Sequence, residues 1–252
     1  MIPYHRIPIL FHIGSLRVYS WGFFVSLGIL TALIIANKNH KKESKTITDL
    51  VIITLIFGIL GARTIYVLLN IKHFIKNPIE AFNIMGGGLS YFGALLFAFI
   101  ALLTYCKITK KDYKHYLDIF AIYIPIVQAI GRIGCFLNGC CYGSLTRVPW
   151  GITYLGGIRH PAQIYESILD LTVFLILYKI RNKKSLEILN RRIRLFKGSK
   201  FLLYLILYSL VRFVVEFFRQ EPKFIFGLTI TQITTIFIII VSKIIILRKQ
   251  RL

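Results

Sequence analysis

Residues 202–219 read Leu-Leu-Tyr-Leu-Ile-Leu-Tyr-Ser-Leu-Val-Arg-Phe-Val-Val-Glu-Phe-Phe-Arg. The run has the length of a membrane-crossing helix, which needs roughly 20 mostly apolar residues. Within it Tyr208, Arg212, Glu216 and Arg219 fall at i, i+4, i+8 and i+11, a spacing that puts all four on one helical face. An ionisable group inside a membrane span is costly unless it is paired or faces water. One reading is a stripe that satisfies itself, with Arg212 and Arg219 each reaching Glu216 to lock a bundle. The other starts from the surplus of cations, two against one acid, which suits an anionic guest such as phosphate.

Working outward, the same character extends over the chain. Of 252 residues 56% are hydrophobic and only 17% charged, with mean hydropathy +0.68. A soluble domain carries about 25% charged residues, so a water-soluble globule, a disordered chain and a secreted disulfide scaffold are all excluded. Seven segments read as transmembrane helices, about 18–36, 49–69, 87–106, 117–136, 163–180, 202–218 and 229–247. The fold class is therefore an all-α integral membrane protein with a single polytopic domain over 1–252. Runs this long exclude barrel strands of about 10 alternating residues. His5, Arg6, His12 and Arg17 interrupt the first stretch, so residues 1–17 read as an outside segment and not as a cleaved signal peptide.

Charge sets direction. Lys and Arg total 32 against 10 acids, a net charge of +22. Clusters at Lys38–Lys45, Lys107–Lys114, Arg181–Lys200 and Lys243–Arg251 all fall on one side of a seven-span chain. The positive-inside rule makes that side cytoplasmic, with the N-terminus outside and the C-terminus inside. Nucleic acid is excluded as a partner, because the cations segregate by topology. The segment 181–200 reads as a basic loop or as a surface helix on anionic headgroups.

Three further clusters stand out. After the fourth span comes Gly131-Arg132-Ile133-Gly134-Cys135-Phe136-Leu137-Asn138-Gly139-Cys140-Cys141-Tyr142-Gly143, whose glycines permit close backbone approach to a ligand or another helix. Cys135, Cys140 and Cys141, with His160 as a fourth ligand, invite a zinc reading, but C-x4-C-C matches no usual zinc knuckle. No metal site is read here. Before the fifth span, Arg159-His160-Pro161-Ala162-Gln163-Ile164-Tyr165-Glu166 offers a proton acceptor in His160, which equally serves as a cap; Gln163, Glu166 and Asp170 share a face. In the second span, Gly61-Ala62-Arg63-Thr64-Ile65-Tyr66 places a cation that either snorkels to the interface or binds a headgroup.

Taken together these motifs resemble the bacterial prolipoprotein diacylglyceryl transferases. The resemblance rests on Gly131–Gly143, Gly61-x-Arg63-x-x-Tyr66, Gly87-Gly88-Leu89-Ser90, Arg159-His160-Pro161-x-Gln163-x-Tyr165-Glu166 and Arg212-Phe213-x-x-Glu216-Phe217-Phe218-Arg219. They occur in family order over nearly the whole chain. The resemblance implies a transferase of the bacterial cytoplasmic (inner) membrane that moves diacylglyceryl from phosphatidylglycerol to the lipobox cysteine of a prolipoprotein signal peptide, releasing glycerol phosphate. It implies no cofactor. Arg132 and Arg212 fall on the family's essential arginines, and Asn138, Gly143, Tyr208 and Glu216 on further positions of its pattern. With Arg63, Arg219 and Gln163 these form the expected lipid-binding set; His160 and Tyr208 are the candidate bases. The chain departs from familiar members at Phe92, where they carry His, and at Cys135 and Cys140, where they carry Asn and Glu. Two other readings stay open at this point: a paralogue using another acceptor or only binding anionic lipid, and a small transporter, for which no inverted repeat is visible.

Overall fold

Each of the seven apolar segments is helical in the computed structural model, which describes residues 2–14, 16–83, 87–183, 185–188 and 191–251. Strands β1 (Ile2–Pro3), β2 (Ile9–Ile13) and β3 (Leu16–Tyr19) precede helix α1 (Ser20–Asn39). Helices α2 (Ser44–Leu69), α3 (Ile71–Lys76), α4 (Tyr91–Ile108) and α5 (Tyr113–Asn138) follow. Strands β4 (Ile152–Tyr154) and β5 (Gly157–Arg159) lead into α6 (Ala162–Lys179); β6 (Ser185–Ile188) and β7 (Arg191–Arg194) lead into α7 (Ser199–Glu216); α8 (Ile230–Arg251) closes the chain.

Five of these helices are long and apolar enough to cross a membrane among the described residues: α1, α2, α4, α5 and α8. The chain is a multi-pass, mostly helical membrane protein. Helices α6 and α7 have 18 residues each, with Glu166 and Asp170 buried in one and Glu216 in the other. Their polar content is what separates them from the five.

The chain forms two compact units. One is Met1–Ile34 with Leu117–Leu252; the other is Ile35–Tyr116. In the first, β2 and β3 pair as an antiparallel hairpin, and β1 joins β4 in parallel beside the antiparallel β4–β5 pair. The N-terminal segment thus has sheet structure of its own, tied down where the Ser20 hydroxyl bonds the Ile7 carbonyl. Glycine lets helices close up here: a Cβ on Gly134 would lie 3.0 Å from both the Ser20 carbonyl and the Trp21 Cα. Asp118 of α5 accepts from the backbone N–H groups of Gly198 and Phe201, at 2.8 and 2.9 Å. It thereby caps the otherwise unpaired first turn of α7. The basic segment before α7 is a β6–β7 hairpin, neither the surface helix nor the plain loop expected of it.

In the second unit α2 packs on α4 through Gly61 and Gly93: a Cβ on either would meet the other's carbonyl oxygen. Ser90 caps α4, accepting from the Gly93 N–H at 3.4 Å.

Candidate active site

Glu166 lies on α6, with only 2% of its side chain exposed. Its carboxylate accepts from Arg132 Nη2 of α5 at 2.6 Å, and from Arg212 Nη1 of α7 at 3.0 Å on each oxygen. Arg212 Nη2 reaches on to Glu216, one turn along its own helix, at 3.3 Å. The other Glu216 oxygen accepts from the Thr229 hydroxyl at 2.9 Å. Thr229 in turn exchanges backbone and side-chain hydrogen bonds with Gln232 at the start of α8. Four helices therefore converge on one chain of charge-assisted hydrogen bonds, which are short and strong where water is excluded.

Arg132 and Arg212 retain 20% and 14% side-chain exposure, against 2% and 1% for the two glutamates. The acids form the floor and the guanidiniums the accessible layer above it. The stripe on α7 is organised differently from the self-satisfied reading. Arg219 pairs with Glu221 at 3.1 Å, and Arg212 turns to Glu166 as well as Glu216. Two arginines are thus matched by two glutamates, and the guanidiniums are fixed in place and shared between carboxylates. Tyr208, one turn before Arg212, stacks on Tyr204 with centroids 5.8 Å apart; Tyr204 donates to Gln128 at 3.2 Å.

Around this core three strands of chain zip together. Gly143 N–H donates to the His160 carbonyl at 2.9 Å, His160 N–H to Ser144 at 3.0 Å, and Ser144 N–H to Phe218 at 2.8 Å. Gly143 is required by that closeness: a Cβ there would lie 2.5 Å from the Phe218 carbonyl and 2.6 Å from the His160 Cβ. The His160 ring packs against Tyr165 and Phe218. Its Nδ1 lies 3.1 Å from the Tyr165 hydroxyl, which also accepts from the Trp150 indole at 2.7 Å. Burial pushes the His160 pKa below its usual 6.5, favouring the neutral ring. Gln163 donates to the Cys140 carbonyl at 2.6 Å, and Asn138 is the last residue of α5. The Cys140 thiol donates to the Cys135 carbonyl at 3.7 Å.

The structure thus brings Arg132, Arg212 and Glu216 together, and links Gly143, His160 and Arg219 through adjoining backbone. Glu166, the hub, was quoted in the sequence but given no part. Its signal was present, since it lies three residues after Gln163 and four before Asp170. Asp170 is fully buried, and neither of its carboxylate oxygens has a hydrogen-bond partner among the described residues.

Arg63 belongs to the second unit. It is buried, and its fork donates to four backbone carbonyls, those of Glu80, Ala81, Gly87 and Gly88. It lines a cavity of about 410 Å³ with Tyr66, Asn70, His73 and Glu80. The guanidinium neither snorkels nor stands open; it ties the carbonyls of residues 80–81 to those of 87–88. Phe92, at the start of α4, is 79% exposed.

Fold and site define a class: polytopic helical membrane proteins whose polar core holds paired arginines over buried carboxylates. Within that class the chain belongs to the prolipoprotein diacylglyceryl transferase family, whose sequence model matches residues 8–248. It is similar to the phosphatidylglycerol–prolipoprotein diacylglyceryl transferase of Clostridium tetani (strain Massachusetts / E88), 35% identical over 93% of this chain and 94% of that protein. The protein of the same name from Finegoldia magna (strain ATCC 29328 / DSM 20472 / WAL 2508) is 36% identical over 91% and 90%. That of Campylobacter jejuni subsp. jejuni serotype O:23/36 (strain 81-176) is 38% identical over 87% and 83%.

Proposed function

We propose that the protein transfers diacylglyceryl from phosphatidylglycerol to the lipobox cysteine of prolipoproteins in the bacterial cytoplasmic membrane. The observation that carries this reading is the convergence of Arg132 and Arg212, from separate helices, on the buried Glu166 carboxylate. Seven spans, with the N-terminus outside and the C-terminus cytoplasmic, are part of the proposal. They are supported by the four basic clusters and by the pairing of Glu166 on α6 with Arg212 on α7.

In this mechanism the lipid phosphate docks on the exposed faces of Arg132 and Arg212. The acceptor thiolate attacks the glycerol carbon that bears the phosphate ester. A C–S bond forms, the C–O bond breaks, and glycerol phosphate leaves with its new charge on an oxygen held by the two guanidiniums. Donors already aimed at developing charge need no rearrangement during reaction, which is how such sites lower barriers. The thiol, with pKa about 8.5, needs modest activation. His160, whose neutral form burial favours, supplies a proton acceptor through Nε2 while Tyr165 engages Nδ1. Asn138, Gly143, Gln163 and Tyr208 shape the pocket, and Arg219 holds its neighbouring loop through Glu221; Arg63 acts within its own unit, on the backbone carbonyls of Glu80, Ala81, Gly87 and Gly88.

The test uses purified protein in phosphatidylglycerol vesicles with a lipobox peptide, read by intact mass. A gain of one diacylglyceryl group, absent when the peptide's cysteine is serine, is the expected result. No gain, while a known family member is active alongside, overturns the proposal and favours a paralogue with another acceptor.

A further inference from the structure

Three thiols meet where α5 ends. Gly139 takes φ +74°; its N–H bonds the Phe136 carbonyl at 3.1 Å, and the Cys140 N–H bonds the Cys135 carbonyl at 3.2 Å. This pair of bonds closes a helix on a left-handed glycine and returns the following residue over the one five positions earlier. Here the contact is sulfur on sulfur. Cys141 then adopts φ +61°, a left-handed conformation that is costly for a residue with a side chain. The outcome is three free thiols whose sulfurs all lie within 4.8 Å of one another. Cys135 is buried at the base, with Cys140 and Cys141 half-buried above it.

We propose that Cys135, Cys140 and Cys141 form a three-sulfur site for a soft, thiophilic cation such as Zn²⁺. Three sulfurs each bonded at about 2.3 Å to one centre lie about 3.8–4.0 Å apart, so the cluster closes with shifts of less than about 1 Å. Thiolate is the ligand type that selects such ions. On binding, each thiol releases its proton to solvent and its sulfur donates a lone pair, with no change in oxidation state. His160 is not the fourth ligand, since it lies outside the sulfur group and its Nδ1 is engaged with Tyr165; the fourth position falls to water. Counting residues between cysteines hid the site, because the spacing C-x4-C-C here is the spacing of the helix cap. Occupancy would clamp the end of α5 to the turn that Gln163 holds onto α6 through the Cys140 carbonyl. The proposal stands apart from the transfer reaction, and its test uses no activity readout.

Purified full-length protein in detergent, reduced with a non-thiol reagent under anaerobic conditions, is titrated with Co²⁺ and then with competing Zn²⁺, which thiolates hold more tightly. The expected result is one equivalent bound, with ultraviolet thiolate-to-metal charge transfer that Zn²⁺ displaces. Cys140→Ser should weaken binding more than about tenfold, and Cys106→Ser should leave it unchanged. In the unaltered protein, Zn²⁺ should slow alkylation of Cys140 and Cys141, read by mass, which keeps the test decisive if a variant fails to fold. Absence of saturable binding, binding unaffected by Cys140→Ser, or alkylation indifferent to Zn²⁺ overturns the site.

Discussion

Glu166 sets one carboxylate against two guanidiniums, so its removal acts on both at once. Stripping one member from a buried charge network leaves the others uncompensated, at about 3–5 kcal/mol. Glu166→Gln is therefore expected to lower unfolding stability by about that amount, measured by denaturation in detergent. Arg212 plays a different part, because its fork bridges Glu166 and Glu216, a geometry lysine cannot copy. Arg212→Lys is expected to slow transfer about a hundredfold, the scale of losing a preorganised donor at developing charge. Arg212→Ala should give no product while abundance in the membrane holds; full transfer by that variant would remove Arg212 from the mechanism. His160 gives a pH signature. Burial lowers its pKa from 6.5, so as pH falls the unfolded chain takes up the proton before the folded one does. Stability is then full above pH 6.5 and declines as pH falls through 6.5 toward the lower folded value. Thermal unfolding between pH 7.5 and about 5 should show that decline, and His160→Asn should flatten it.

Where elements pack, the glycines decide. A methyl on Gly93 would drive into the Gly61 carbonyl and the Ile65 side chain, and one on Gly143 into Phe218 and His160. Gly93→Ala should open the α2–α4 contact and lower thermal stability. Gly143→Ala should reduce transfer more than stability, because it pries apart the strands beside His160. The two effects separate in parallel melting and mass assays. The helices themselves were legible from apolar length, within a few residues at most ends. The N-terminal hairpin and the β4–β5 pair were not, since strands of three to five residues show no period long enough to read. Likewise the face shared by Arg212 and Glu216 was legible along one helix. That Arg212 would turn to α6 was not, because spacing reports neighbours on a helix and says nothing of which helix lies opposite. Arg63 shows the same limit: its type suggested an anion site, whereas its partners are carbonyls supplied from 17 to 25 residues away.

Across the whole molecule, the basic clusters and the two polar helices make a joint claim about topology. Alkaline phosphatase matures only in an oxidising compartment. Fused near residue 150 it should be active, and fused near residue 190 or at the C-terminus inactive; the reverse pattern would overturn the orientation. The Arg132–Glu166–Arg212–Glu216 chain also has an order in time. Arg132 emerges from the ribosome first, Glu166 follows 34 residues later, Arg212 after another 46, and Glu216 four residues behind it. At ~5–20 residues per second, the gap between Glu166 and Arg212 lasts roughly 2–9 s. Throughout that interval Glu166 already has Arg132 as its counter-ion, and when Arg212 arrives its own second acid is a fraction of a second behind. Within this chain of four, cation and anion alternate in order of synthesis, so each member but the first follows one of opposite charge.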